Sequence, residues 1–194
     1  MQETSNEIRT FIAIELPEGV KSFLKEHVAL LRSFGGNVKW TRAESTHLTL
    51  KFLGNIPKDD VDTIASRLMP FFGRQERLPL SVEGAGGFPT LSKPRVIWIG
   101  LRDASGLLAP MVADLEGLLE PLGFEKEKRA FSPHLTLGRL RQGRVSPDLI
   151  DSLRQMQDLT GPAFTADHAV FFQSILKPSG AQYVPLVRFD FSSA

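Results

Sequence analysis

Short apolar runs typical of β-strands alternate along the chain with longer segments in which apolar residues recur every three to four positions, as in amphipathic helices. A strand is predicted over 9–16, where Pro17 stops it. A helix is predicted over 19–34, with its apolar residues on one side and Gly35 and Gly36 at its end. The remaining elements predicted for the first half are extended segments over 38–40 and 47–53, a helix over 57–72 and a strand over 78–82.

The second half repeats this order of elements. A strand predicted over 95–101 resembles 9–16 at an offset of 86 residues (95 minus 9), and it is followed by helices over 105–122 and 147–159 and strands over 131–137, 164–175 and 182–191. The pattern predicts an α+β protein of two pseudo-symmetric β-α-β-α-β lobes, whose antiparallel sheets face a central cleft with the helices outside. We expect a single bilobal domain over 1–194, with lobes at about 9–94 and 95–191. An exchange of terminal strands between the lobes is left open.

Composition narrows the classes of protein that fit this pattern. A hydrophobic content of 42% with 23% charged residues is that of a globular protein, and the absence of cysteine excludes disulfides, thiol nucleophiles and Cys-ligated zinc. No apolar run approaches the ~20 residues of a membrane span, and the polar N-terminus is unlike a signal peptide, so we expect a cytoplasmic protein. A net charge of +1 argues against binding along many phosphates, but it leaves a small anion or a nucleic-acid end as a partner.

The tetrapeptide His-Leu-Thr-Leu occurs twice, at 47–50 and at 134–137, in a chain with only four histidines. On a strand, residues i and i+2 share a face, so the histidine and threonine of each copy point one way and the leucines point the other way. If the leucines pack into their lobes, both histidines and both threonines face the cleft. The repeat therefore predicts one site built from two matching halves.

The residue types in this site suit the cleavage of a phosphodiester. An imidazole titrates near neutral pH, so one histidine can accept a proton while the other donates one, each contributing roughly 10²–10⁴-fold in rate. Threonine hydroxyls can donate hydrogen bonds to phosphate oxygens. We therefore predict His47 and His134 as the catalytic pair and Thr49 and Thr136 as the phosphate-binding residues.

A single His-x-Thr on a strand usually carries no chemistry, and the repetition is what favours function here. His27, on the apolar side of a predicted helix, and His168, which has no matching copy, are predicted to be structural. A zinc site is the main competing interpretation, but such sites usually take a third ligand, and no His-x-x-x-His or carboxylate companion adjoins either copy. We predict no metal and no cofactor.

With both copies in place, the chain resembles the two-histidine (2H) phosphoesterase superfamily, whose signature is a pair of His-x-Thr/Ser-x motifs. Within it, the flanking segments are similar to the RNA 2',3'-cyclic phosphodiesterase family of bacteria and archaea, historically called the 2'-5' RNA ligase family. The resemblance covers nearly the whole chain. The segments that carry it are 9–17, 47–54, 87–89, 94–98, 131–139 and 176–183.

The resemblance implies metal-independent hydrolysis of a 2',3'-cyclic phosphate, on an RNA 3' end or a small nucleotide, to a 2'-phosphate. One histidine would activate water and the other would protonate the departing 3'-oxygen; we assign His134 as base and His47 as acid, although the near-identical motifs do not fix this order. The chain would act as a monomer without an obligatory protein partner. Two alternatives stay open: a 2'-5' RNA ligase or 2'-5' phosphodiesterase using the same site, and a non-catalytic module that binds RNA ends.

Phe52 and Arg139 are weaker candidates for RNA binding. Each lies at an odd offset from its histidine, which on a regular strand places it on the opposite face. Arg139 needs a bend at Gly138 to reach the site, with a surface role as the alternative. Phe52 either packs in the core or, after a twist, stacks on a base. Four further cations could guide an RNA end, with solvated surface charge as the default interpretation: Arg42, Lys51, Arg141 and Arg144.

Overall fold

The computed structural model describes residues 6–140, 145–178 and 180–192. Arg141 and Arg144 lie outside these ranges. Within them the chain forms four α-helices and nine β-strands, with short 3-10 turns at Ala43–Ser45 and Glu120–Leu122. In chain order the elements are β1 (Glu7–Ile14), α1 (Glu18–Ser33), β2 (Val38–Trp40), β3 (Leu48–Pro57), α2 (Asp60–Phe72), β4 (Leu78–Phe88), β5 (Val96–Asp103), α3 (Leu108–Leu119), β6 (His134–Leu140), α4 (Pro147–Gln155), β7 (Thr160–Ala166), β8 (His168–Lys177) and β9 (Gly180–Asp190).

The strands form two sheets with antiparallel neighbours. The first sheet has the order β3-β1-β8-β9, and the second has the order β2-β6-β5-β4-β7. Helices α2 and α3 pack on the first sheet, and α1 and α4 contact the second. The predicted α+β class, with two antiparallel sheets and helices against them, is confirmed. In the described ranges, none of the helices is both long and apolar enough to cross a bilayer.

Each sheet combines strands from both halves of the sequence. β4 belongs to the first half of the sequence, but it pairs with β5 of the second half in the second sheet. β8 and β9 come from the second half and complete the first sheet beside β1. The ladders β1–β3 and β5–β6 take equivalent places in the two sheets. Because each sheet draws strands from both halves, the two lobes of the fold are the sheets and not the two contiguous halves of the sequence.

Several predicted strands differ in extent from the observed ones, and two of them differ most. The strand predicted over 78–82 continues to Phe88. The strand predicted over 164–175 is in fact two strands, β7 and β8, which belong to different sheets and are separated at Asp167. The break falls at the polar pair Asp167 and His168, which interrupts the apolar run. Buried residues resume directly after it, at Ala169 and Val170, where the chain enters the other sheet.

β1 is covered on both faces. Ile12 and Ile14 belong to the main core beneath the helices, whereas Phe11 and Ala13 belong to a second cluster with two side chains of β8. Since side chains alternate along a strand, this second cluster lies on the face turned away from the helices. A strand buried on both faces is a continuous apolar run, which is how this segment looks in the sequence.

Candidate active site

A cavity of about 920 Å³ is lined by residues from both sheets. We call it the cleft. All six residues that the sequence nominates line it, although their roles remain predictions: His47, Thr49, Phe52, His134, Thr136 and Arg139. The structure thus brings the two tetrapeptides together in one space.

The alternation of side chains follows the predicted pattern in both motifs. The leucines are buried, with at most 4% of their surface exposed, whereas the histidines and threonines are half-buried. His47 immediately precedes β3, and His134 is the first residue of β6. Each histidine therefore lies at the end of a strand, where its leucine neighbours fix the backbone and its own side chain reaches the cleft.

The two imidazoles are held by the same kind of hydrogen bond. Nδ1 of His47 lies 3.1 Å from the carbonyl oxygen of Ser45, and Nδ1 of His134 lies 2.7 Å from that of Ser132. A carbonyl oxygen can only accept, so Nδ1 donates in both cases. This leaves Nε2 of each histidine as the nitrogen that can exchange a proton with a substrate.

A β-bulge on β3 determines the direction of Phe52. Thr49 and Lys51 pair with adjacent residues of β1, so Leu50 is an extra residue in the ladder. A bulge shifts the alternation by one position. Phe52 is consequently 51% exposed and lines the cleft, with its ring 5.8 Å from that of Phe11. Phe52 therefore does not pack in the core, and its stacking on a base stays a prediction.

The same bulge recurs on β6. Thr136 and Gly138 pair with adjacent residues of β5, so Leu137 is the extra residue. Arg139 is therefore turned toward the cleft and is exposed. A side chain at Gly138 would collide with β2, because a Cβ there would lie 2.6 Å from Val38. Arg139 is turned by the bulge at Leu137 and not by the predicted bend at Gly138, while glycine is needed at position 138 because β2 packs closely against it.

Lys51 is buried, so it is neither the solvated surface charge nor the RNA-guiding cation that the sequence suggests. Its side chain is 2% exposed, and its Nζ lies 2.6 Å from Oε2 of Glu116 on α3. Nζ also donates to the carbonyl oxygen of Glu125 at 2.5 Å, and Oε2 of Glu116 accepts from the backbone N–H of Glu127 at 3.2 Å. The physical reason is the bulge at Leu50, which turns Lys51 toward the helix side of the sheet.

We call this arrangement the Lys51–Glu116 clamp. It joins β3 and α3 to the chain that runs toward β6, of which residues 126–132 line the cleft in part. Lys126 and Arg129, which the sequence did not single out, bring positive charge to this wall. Arg42 is exposed on the turn before His47.

His47 rests on an aromatic floor formed by Phe11, Phe172 and Tyr183. The imidazole stacks on Phe11 with ring centroids 4.6 Å apart, and it meets the ring of Tyr183 edge-on at 4.9 Å. Burial lowers the pKa of His47 from 6.5 to about 4, against the opposing effect of the hydrogen bond to Ser45. Such a histidine is neutral at pH 7 in this structure.

The surroundings of His134 differ. Its ring is perpendicular to that of Phe88, with centroids 5.0 Å apart, and lies 6.4 Å from that of Trp98. Both aromatic residues belong to the second sheet, on β4 and β5. None of the aromatic residues around either histidine is identified as part of the site from the sequence. Four of them, Phe11, Phe88, Trp98 and Tyr183, do fall within segments that carry the family resemblance.

The other two histidines lie away from the cleft. Nδ1 of His27 hydrogen-bonds the carbonyl oxygen of Phe23 within α1, at 2.8 Å. His168 lies between the carboxylates of Asp167 and Glu15, at 2.6 and 3.2 Å. Across the described ranges, no group of three or more His, Asp or Glu side chains is placed to hold a metal ion.

A family model, the LigT-like phosphoesterase, matches the chain twice, over residues 14–98 and 99–183. Each match contains one copy of the tetrapeptide. The chain belongs to the LigT-like phosphoesterase family. The resemblance to the 2H phosphoesterases is thereby confirmed, and the two consecutive matches agree with the two equivalent ladders of the fold.

Relatives of this LigT-like phosphoesterase cover most of its length. It is 32% identical to an RNA 2',3'-cyclic phosphodiesterase of Aeropyrum pernix over 160 residues, which are 82% of this chain and 90% of the relative. It is 31% identical to a protein of the same name from Thermotoga maritima over 184 residues, covering 95% and 96% of the two chains.

Solved structures share the fold. TT0787 of Thermus thermophilus superposes with a TM-score of 0.77 at 25% identity, covering 95% of this chain and 98% of that one. E. coli LigT in complex with 3'-AMP gives a TM-score of 0.77 at 22% identity, covering 96% and 99%. At 22% identity the second comparison establishes the fold alone.

Proposed function

We propose that the protein hydrolyses the 2',3'-cyclic phosphate at RNA 3' ends to a 2'-phosphate, by acid–base catalysis from two histidines and without a metal ion. The observation that carries the proposal is the pairing, in one cleft, of two histidines with available Nε2 atoms and two threonines. The names of the relatives from A. pernix and T. maritima support this choice of substrate.

The reaction follows from general acid–base chemistry. Water attacks phosphorus on the side opposite the 3'-oxygen, and Nε2 of one histidine takes its proton. The bond between phosphorus and the 3'-oxygen breaks, and Nε2 of the other histidine gives that oxygen a proton. The products are a 2'-phosphate and a 3'-hydroxyl. The hydroxyls of Thr49 and Thr136 donate hydrogen bonds to the non-bridging oxygens, where negative charge develops.

The order of the two roles is a separate question. The family resemblance implies one base and one acid, and from the sequence we assign His134 as base and His47 as acid. The lowered pKa of His47 favours the reverse order, because a neutral imidazole accepts a proton more readily than it supplies one. The negative charge of a bound cyclic phosphate opposes this effect, since an anion raises the pKa of a neighbouring imidazole. The pKa of His47 in the substrate complex therefore determines which order holds.

Phe52 and Arg139 complete the binding of the terminal nucleotide in this proposal. The exposed ring of Phe52 offers a stacking surface for a base, a contact worth roughly 1–3 kcal/mol. The guanidinium of Arg139, on the opposite sheet, can donate to phosphate oxygens or stack on a base. Small nucleotides with a cyclic phosphate would then also be substrates. We further propose a cytoplasmic monomer, in keeping with the lack of cysteine.

The decisive test is incubation of the purified protein, in excess EDTA, with an RNA oligomer ending in a 2',3'-cyclic phosphate. A 2'-phosphate product is expected, and His27→Gln serves as the matched control because this histidine lies on α1, away from the cleft. Turnover that requires added metal would contradict the metal-free mechanism. Cleavage or joining of 2'-5' dinucleotides in preference would favour the ligase alternative, and binding without product would favour a non-catalytic module.

A further inference from the structure

Arg9 lies on the cleft side of the first sheet. It precedes Phe11 by two residues on β1, and Phe11 belongs to the cluster on the cleft face, so both side chains share that face. Arg9 is exposed, and in the described part of the chain no carboxylate forms an ion pair with it. Neither the proposed reaction nor the family motifs give this cation a task.

The strand register places Arg9 beyond the aromatic residues, as seen from the threonine. Along the β1–β3 ladder, Thr49 pairs with Ala13, Phe52 with Phe11, and Asn55 with Arg9. At about 3.3 Å per residue, the Arg9 pair lies roughly 13 Å from the Thr49 pair. The first sheet therefore presents a phosphate-binding hydroxyl, an aromatic ring and a guanidinium in that order.

Tyr183 connects Arg9 to the opposite sheet. Burial raises the pKa of the Tyr183 phenol, and the positive charges of Arg139 and Arg9 oppose this rise. Arg139 comes from the second sheet and Arg9 from the first, so two guanidinium groups act on one half-buried phenol at the cleft. Tyr183 itself contacts the ring of Phe11 edge-on, at 5.0 Å. Arg9 does not itself line the cavity; it lies on the same strand as Phe11, beyond the aromatic end of the cleft.

We propose that Arg9 binds the phosphodiester that precedes the terminal nucleotide, so that the cleft prefers an RNA strand of two or more nucleotides over a cyclic mononucleotide. The inference rests on the proposed hydrolysis and defines its substrate class. A nucleotide chain repeats phosphate, nucleoside and phosphate, which is the order of groups that the first sheet offers. A guanidinium binds a phosphodiester with paired hydrogen bonds and reads no base, so the preference is independent of sequence.

The test compares two substrates that differ only in this phosphodiester: a dinucleotide with a 2',3'-cyclic phosphate and the matching cyclic mononucleotide. The wild type is expected to show a higher kcat/KM for the dinucleotide. Arg9→Gln should lower kcat/KM for the dinucleotide about tenfold and leave the mononucleotide unchanged, as a lost charged hydrogen bond predicts. Arg67→Gln, an exposed arginine on α2, is the matched control and should change neither value.

A methylphosphonate at the internucleotide position removes the charge and provides a second reading. In the wild type, this change should lower kcat/KM for the dinucleotide to the value for the mononucleotide. In Arg9→Gln, it should leave kcat/KM for the dinucleotide unchanged. Equal losses on both substrates in Arg9→Gln, or no dinucleotide preference in the wild type, would overturn the inference. If the wild type hydrolyses neither substrate, the proposed function fails. The Kd values of the two compounds for wild type and Arg9→Gln then decide the inference, with equal Kd values overturning it.

Discussion

The two copies of the tetrapeptide share their sequence, their Nδ1 hydrogen bond and their bulge, yet their surroundings differ. His47 is stacked on Phe11 within the aromatic floor, whereas His134 is perpendicular to Phe88 on the other sheet. In a pseudo-symmetric site, the identical residues set the geometry around the phosphate. The residues around the two histidines differ between the halves. These neighbours therefore determine which histidine acts as acid and which as base.

The contrast extends along the strands beyond the motifs. Four residues after the histidine, β3 has the buried Lys51 and β6 has Gly138; one position further, β3 presents Phe52 and β6 presents Arg139. The same bulge thus delivers an aromatic ring from one half and a cation from the other. If the aromatic ring and the cation make different contacts with the substrate, substitutions in the two halves should have distinct effects.

The largest effect is expected from the histidines themselves. His47→Ala and His134→Ala should each lower kcat about 10²–10⁴-fold, since each removes one proton-transfer group. A substrate with sulfur at the 3' position separates their roles, because a thiolate leaves without a proton. That substrate should restore activity to the variant that lacks the acid and leave the variant that lacks the base inactive. Activity near the wild-type value in either variant on the normal substrate would refute the paired mechanism.

The clamp is expected to give the next largest effect, on stability. Lys51→Met leaves the carboxylate of Glu116 buried without its partner, so the free energy of unfolding should fall by about 3–5 kcal/mol. The double variant Lys51→Met/Glu116→Leu should recover much of that loss, because no charge is left unpaired. Urea unfolding measures both. If the free energy of unfolding of Lys51→Met fell by no more than about 1 kcal/mol, the loss would be that of a surface ion pair. The clamp would then not be a buried pair in solution.

A smaller effect should distinguish Phe52 from Arg139. Phe52→Ala is expected to raise KM about tenfold through lost stacking, and the loss should not depend on salt. Arg139→Gln should raise KM by a similar factor at low salt and by less at high salt, because ionic screening already weakens the wild-type contact. Phe52→Tyr, which keeps a stacking ring, is the control. If the KM changes of Phe52→Ala and Arg139→Gln depended on salt in the same way, the two residues would not make different kinds of contact.

A further effect concerns the pH dependence of stability. The pKa of His47 is about 4 in the folded protein against 6.5 as its ordinary value, so the unfolded chain binds this proton more readily. The contribution is full above pH 6.5, declines as the pH falls toward 4 and is lost below it. His47→Gln should therefore lose less stability than wild type over this range, as measured by urea unfolding. Parallel curves would show that the aromatic floor does not lower this pKa.

Much of the cleft can be predicted from sequence because strand alternation is a local rule. The buried leucines and the half-buried histidines and threonines follow it in both copies. A bulge, in contrast, is defined by the partner strand, and β1 and β5 lie more than 30 residues before the motifs they pair with. The direction of Lys51 is for this reason missed, and the directions of Phe52 and Arg139 stay open at the level of sequence.

The aromatic floor illustrates a second limit. Phe11 lies in a run that is apolar on both faces, so hydrophobicity does not tell which side chains face the cleft. Tyr183 reaches the site because β9 pairs with β8, and β8 in turn pairs with β1 at the beginning of the chain. Such contacts depend on topology, which two similar half-sequences leave open.

The sharing of strands between the sheets has a consequence for the origin of the fold. Residues 1–94 alone would keep the β1–β3 ladder but would leave β4 without its partner β5, and the first sheet without β8 and β9. Two copies of one such half could complete each other's sheets by trading a strand, as a domain-swapped homodimer with twofold symmetry. The present chain resembles such a dimer in that β4 completes the sheet of β5 and β6, while β8 completes the sheet of β1 and β3; β7 and β9 have no counterpart in the first half.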